Sequence, residues 1–180
     1  LGRPLCAQPD GAARLLAGKW TFYRKAEGLP DDRVWKLAEV KTDDGVAHLV
    51  AGTEAGLVEF DAGGARWRPF LPDLVPAGGS VNSVLETDGP EGHALWFGVF
   101  GVGIYRVANG AATRIDPAGG LPSPFVTSLA ATVGADGGVV VWAGTTEGVA
   151  RLSGGRWTVL GPRRGLPATE VYSLFRSTRS

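Results

Sequence analysis

The chain has a single cysteine, Cys6. No internal disulfide can form and no cysteine-based metal site is on offer. One thiol fits a reducing compartment and does not exclude an oxidising one. An excess of charge is missing too: 18 Lys and Arg stand against 18 Asp and Glu. Electrostatics therefore supply no reason to expect nucleic acid or an anionic membrane as partner. No apolar run approaches the roughly 18 residues that a membrane helix needs, so no insertion by this segment is expected. The only histidines, His48 and His93, lie outside any metal-ligand spacing such as H-x-x-x-H. The chain opens at Leu1, without Met and without a signal-peptide pattern. It reads as a mature or excised piece whose targeting segment would lie elsewhere.

What is present is a soluble-type composition, 44% apolar and 20% charged over 180 residues, enough for one sizeable core. Glycine (28) and proline (12) leave little room for long helices and suit short strands and turns. They are also organised. Gly-Leu-Pro occurs at Gly28-Leu29-Pro30, Gly120-Leu121-Pro122 and Gly165-Leu166-Pro167. Each copy is followed by a valine (Val34, Val126, Val171) and, three residues later, a leucine (Leu37, Leu129, Leu174). The second and third copies are 45 residues apart, and the first and second 92, close to two such steps. A fixed period of this length signals a repeat architecture.

Four short segments recur in each repeat. Segment a follows Gly-Leu-Pro at 34–40, 81–87, 126–132 and 171–176. Segment b, apolar and ending in Gly, is 49–52, 94–98 and 139–144. Segment c opens on Gly at 56–60, 103–107 and 148–152, and segment d, often with Trp, is 66–70, 111–115 and 156–160. Their length, their Val, Leu, Trp and Phe content and their tight Gly, Pro, Asp and Asn borders make them strands. Glycines at both ends of the b–c links, Gly52 to Gly56 and Gly144 to Gly148, suggest hairpins that need positive φ. Four antiparallel strands in about 45 residues make one blade of an all-β propeller. Trp20, Trp67 and Trp157 recur at one place in segment d and are expected to pack between blades. His48 and His93, at the start of segment b, are expected to cap a strand or meet solvent.

The blades divide as 1–27 (strands b, c and d), 28–74, 75–119, 120–164, and 165–180 as a lone strand a. Three strands at one end and one at the other allow a closed ring of four blades, a piece of a larger ring, or pairing between copies. The 75–119 blade is the least regular: Leu74-Val75-Pro76 stands where Gly-Leu-Pro should, and Ala112 where the others have Trp.

Gly120-Leu121-Pro122, Val126-Thr127-Ser128-Leu129, Trp142-Ala143-Gly144-Thr145 and Gly148-Val149 together resemble the two-component regulator propeller repeat. The resemblance covers nearly the whole chain. It implies the extracytoplasmic, periplasmic sensing region of a bacterial hybrid histidine kinase or similar signalling protein, recognising small molecules, often carbohydrate fragments. The matching residues are scaffold, so no binding residue carries over.

In a blade the d–a crossings and b–c hairpins emerge on one face. That face would gather Asp31, Asp32, Glu54, Phe100, Phe125, Thr146, Glu147 and Glu170, a candidate ligand site in which carboxylates could take sugar hydroxyls. The position shared by Trp35, Asn82, Thr127 and Tyr172 varies while its neighbours hold, and could line such a site. The glycine-rich 98–103 stretch is a b–c hairpin followed by a strand, not a phosphate loop, which needs a helix next. No nucleophile elbow, metal motif or cofactor motif is found. Three readings remain: a non-catalytic ligand-sensing propeller segment; a protein–protein scaffold that self-assembles into homo-oligomers through open strand edges; and, least favoured, a propeller lyase or glycosidase. A ligand would be a small molecule or oligosaccharide, and a cytoplasmic location stays open.

Overall fold

In a computed structural model the protein is all-β, built from antiparallel propeller blades. The structure describes residues 5–42, 45–76, 78–166 and 169–177. Leu1 and Pro167 of the third Gly-Leu-Pro lie outside these. Strands β1 (Leu5–Gln8), β2 (Gly11–Leu16) and β3 (Lys19–Tyr23) form a three-stranded sheet. A four-stranded sheet follows, of β4 (Val34–Lys41), β5 (Ala47–Thr53), β6 (Gly56–Asp61) and β7 (Arg66–Pro69). The next comprises β8 (Val81–Gly89), β9 (Gly92–Val99), β10 (Gly103–Ala108) and β11 (Ala111–Ile115). The last comprises β12 (Val126–Val133), β13 (Val139–Thr145), β14 (Gly148–Ser153) and β15 (Arg156–Leu160). Every sheet pairs in sequence order. The chain divides into two compact units, Leu1–Asn82 and Ser83–Ser180, so the division falls inside β8.

Each Gly-Leu-Pro is the end of a one-turn 3₁₀ helix that sequence reading did not anticipate: Lys25–Glu27, Pro117–Gly119 and Pro162–Arg164. Its glycine takes the left-handed conformation that closes the turn, with φ of 95° at Gly28 and 110° at Gly120. The leucines that follow, Leu29 and Leu121, are buried. A second constraint acts on the same glycines. A Cβ on Gly28 would stand 2.1 Å from the Trp67 carbonyl oxygen, and one on Gly120 would stand 2.8 Å from the Trp157 Cβ. The turn therefore docks on the tryptophan of the outer strand of the blade it leads into. The 75–119 blade, which lacks the Gly-Leu-Pro, lacks that tryptophan as well.

In the first unit Trp67 is 2% exposed and meets Tyr23, Phe60, Leu29 and Val34, which lie on two neighbouring sheets and the turn between them. In the second, Trp157 packs partly buried against the cluster holding Trp96, Ile104, Val141 and Ala150. Trp20 departs from this pattern and is 47% exposed, because no Gly-Leu-Pro turn of the described chain covers it.

Two further expectations need correction. The first glycine of each b–c link is not a positive-φ residue; only the second is, at 143° for Gly56 and 132° for Gly148. The first glycine yields space instead. A Cβ on Gly52 would lie 2.4 Å from Val81 O, on Gly98 2.8 Å from Val126 Cγ1, and on Gly144 2.9 Å from Val171 Cγ1. In each case the valine that opens segment a of the following repeat stands in the place of the missing side chain, joined at Gly98 by Ser83 Oγ at 2.6 Å and at Gly144 by Ser128 Oγ at 2.7 Å. Residues 171–176 are also not a strand. Val171 N donates to Thr145 O and Thr127 Oγ1 donates to Val171 O, but no described strand lies beyond to supply a ladder. Tyr172 and Phe175 are left exposed.

The histidines do not simply meet solvent. His48 Nδ1 lies 2.5 Å from Glu59 Oε2, Thr42 Oγ1 lies 3.2 Å from its Nε2, and Arg68 holds the other Glu59 oxygen at 2.9 Å. His93 pairs with Glu86 at 3.3 Å. Both imidazoles lie mostly covered against carboxylates of adjacent strands.

Candidate functional site

The crossing from the Gly28 turn into β4 and the β5–β6 hairpin meet through one backbone bond, Glu54 N to Arg33 O at 3.0 Å. The second unit repeats it 92 residues on, with Thr146 N to Phe125 O at 3.2 Å. Identical backbone frames thus present Asp31, Arg33 and Glu54 in one blade and Ser123, Phe125 and Thr146 in the other. The frame is fixed by the repeat, and its side chains are free to differ.

In the first unit they form a polar network. Asp31 accepts from Arg33 N at 2.9 Å and pairs with Arg33 Nε at 3.2 Å and Lys25 Nζ at 3.3 Å. The hydrogen bond from Arg33 N, helped by the side chains of Arg33 and Lys25, holds the Asp31 carboxyl below its ordinary 3.8. Arg33 Nη2 reaches Glu54 Oε1 at 3.7 Å. The other Glu54 oxygen accepts from Trp35 Nε1 at 2.9 Å and lies 3.1 Å from Ser80 Oγ, which in turn lies 2.8 Å from Asn82 Oδ1. Trp35 is nevertheless 51% exposed, an indole fixed at its N–H with much of its ring surface left to solvent. Beside it a hollow of about 200 Å³ is lined by Ala7, Gln8, Pro9, Arg33, Val34 and Trp35.

Of the acidic residues expected here, Asp31 and Glu54 are brought together through Arg33. Asp32 is not part of that group: it accepts from Lys25 N at 2.9 Å and secures the 3₁₀ turn. In the second unit Phe100 and Phe125 pack ring to ring at 4.9 Å, both about two-fifths exposed. Thr146 Oγ1 lies 3.1 Å from buried Ser123 Oγ. Glu147 is exposed, and its backbone N–H donates to Thr145 Oγ1 at 3.1 Å. Glu170 accepts from Tyr172, raising that phenol above its ordinary 10.0.

Sequence reading passed over Arg33, Gln8 and Ser80. A lone arginine or serine in a turn carries no signal until its partners are known. The position occupied by Trp35, Asn82, Thr127 and Tyr172 did carry one. In every blade its side chain makes a polar contact: with Glu54, Ser80, the Val171 carbonyl and Glu170 respectively. Among the described residues no group of three or more His, Cys, Asp or Glu side chains is placed to hold a metal ion. No helix among them is long and apolar enough to cross a membrane.

No protein-family model and none of the curated proteins matches the chain. Solved structures do. One is the extracellular domain of a system from B. thetaiotaomicron named as one-component, with TM-score 0.71 and 18% identity over 96% of this chain and 23% of that one. Another is the extracellular domain of a hybrid two-component system from the same organism, with TM-score 0.58 and 15% identity over 84% of this chain and 20% of that one. A third is a catalytically inactive virginiamycin B lyase from Staphylococcus aureus with quinupristin, with TM-score 0.51 and 16% identity over 89% of this chain and 50% of that one. At such identities the likeness is one of fold. The chain spans under a quarter of the length of the first two.

Proposed function

We propose that this chain is a non-catalytic ligand-sensing segment of a propeller in a bacterial signal-transduction protein, acting outside the cytoplasm and recognising a carbohydrate. The observation that carries the reading is Trp35. Its half-exposed indole is held by Glu54 and stands over a hollow with Arg33 and Gln8 at its rim. A fixed indole face takes the C–H face of a pyranose without ordering cost, and a carboxylate, guanidinium and amide nearby take its hydroxyls. The likeness of fold to extracellular domains of one-component and hybrid two-component systems supports a sensing role.

The carboxylates themselves favour binding over hydrolysis. A glycosidase needs one carboxyl raised so that it can act as an acid. Asp31 is shifted the other way, and Glu54 is committed to Trp35 and Arg33.

The test is calorimetric titration of the chain with mono- to hexasaccharides of neutral and acidic type. At least one is expected to bind saturably and to weaken by about tenfold or more, ~1.4 kcal/mol, in Trp35→Ala. Trp20→Ala, on an exposed indole outside the hollow, is expected to leave binding intact. Binding that survives Trp35→Ala, or turnover of any bound glycan, would contradict the reading.

A further inference from the structure

A hollow of the second unit lies at the opposite end of the strands from the crossings and b–c hairpins. It holds about 260 Å³ and is walled by the β8–β9 link, the β12–β13 link and the start of the β14–β15 link. Six residues set its chemistry: Arg106 on β10, Glu91 and Asp136 on the first two links, and Thr87, Pro90 and Val139.

Arg106 is placed by the sheet. It stands directly opposite Trp96 in the β9–β10 register, with its guanidinium 5.4 Å from the indole centroid. Trp96 is buried, and its Nε1 donates to Thr87 Oγ1 at 2.9 Å. The next blade repeats the device: Arg151 stands opposite Trp142 at 5.6 Å, and Trp142 Nε1 donates to Thr132 at 2.9 Å. The two arginines then differ. Arg151 donates to Ser153 Oγ at 3.3 Å. The Arg106 side chain makes no hydrogen bond or ion pair among the described residues, although Glu91 and Asp136 line the same hollow. A half-buried guanidinium keeps its hydrogen-bonding fork unspent. Of the Asp136 oxygens, Oδ1 is taken by Gly138 N at 3.0 Å.

We propose that this cavity binds a small zwitterion, a free α-amino acid. Its carboxylate takes the Arg106 fork, in the paired geometry a guanidinium favours. Its ammonium lies toward Glu91 and the outer oxygen of Asp136, and its side chain rests on Pro90 and Val139. A simple anion would meet two carboxylates and a simple cation would meet the guanidinium; only a molecule with both signs satisfies the wall throughout. The volume sets the size, since pockets for drug-sized ligands start at roughly 300 Å³ and this one is smaller. The site is independent of the carbohydrate reading and shares no residue with it.

The experiment titrates alanine, serine and valine separately into the chain by calorimetry, each beside its amine-free acid and its amide. At least one amino acid is expected to bind saturably below ~10 mM, and both comparators to bind at least tenfold more weakly. Arg106→Lys keeps the stem over Trp96 and the charge but loses the fork, and should weaken binding about fivefold or more. Glu91→Gln, on an exposed link, should weaken it severalfold without moving the melting temperature. Trp35→Ala should leave it unchanged. The proposal fails if none of the three amino acids binds, if a comparator binds as well as its amino acid, or if binding survives either substitution in the cavity undiminished.

Discussion

Gly98 shows how much a missing side chain can decide. Its absent Cβ leaves the space that Val126 Cγ1 and Ser83 Oγ occupy, 2.8 and 2.6 Å from where that atom would be. Contacts that short are not absorbed by rotamer adjustment in a packed interior, so Gly98→Ala should cost about 1–3 kcal/mol. Removing the obstacle should return part of it. Gly98→Ala with Val126→Ala is expected to be less destabilised than the sum of the two single changes, because the added methyl then enters the cavity that the second change opens. Urea denaturation of the four proteins of this cycle measures the coupling. Strict additivity would mean that the close approach of Val126 is not what requires a glycine there.

At the scale of the element, the Gly-Leu-Pro turn and the tryptophan of the outer strand act as one piece. The turn brings its backbone onto the indole-bearing residue, and the following leucine enters the core beside it. Trp67 and Trp20 share a repeat position but not this cover. Trp67→Ala should therefore cost about 3–5 kcal/mol, while Trp20→Ala should stay within about 0.5 kcal/mol. Chemical denaturation monitored by circular dichroism separates the two, and equal costs would sink the account. This contrast also shows where sequence suffices and where it stops. The order of the strands up to Leu160 and the place of each to within two residues were legible because period and alternation follow from backbone geometry that each repeat must obey. The 3₁₀ turns were not, since three residues carry no periodicity. Gly52 and Gly144 do not take the positive φ expected of them, because the valine that needs their space belongs to the following repeat and is not a neighbour in sequence. The lone segment a after the third Gly-Leu-Pro has the right pattern and no ladder, since a strand is a property of a pair. At the candidate site the sequence pointed to the crossing and to the Trp35 position, but not to Arg33, whose meaning comes only from lying between Asp31 and Glu54.

For the whole molecule, the two proposed sites fall in different compact units. The Trp35 hollow is lined entirely from Leu1–Asn82 and the Arg106 cavity entirely from Ser83–Ser180. Each rests on its own buried cluster, Trp67 with Tyr23 and Val58 in one, Trp96 with Ile104 and Val141 in the other. Coupling between ligands requires that one of them alter an equilibrium the other senses. Neither hollow borrows a side chain from the other unit, so the two ligands should bind without mutual effect. Titrating the amino acid in the presence of saturating oligosaccharide is expected to return the same Kd within about twofold, a coupling of ~0.4 kcal/mol or less. A larger change in either direction would show that the units respond as one, and by reciprocity the oligosaccharide affinity would then shift by the same factor. That outcome would make the amino acid an effector of carbohydrate sensing rather than a second, separate signal.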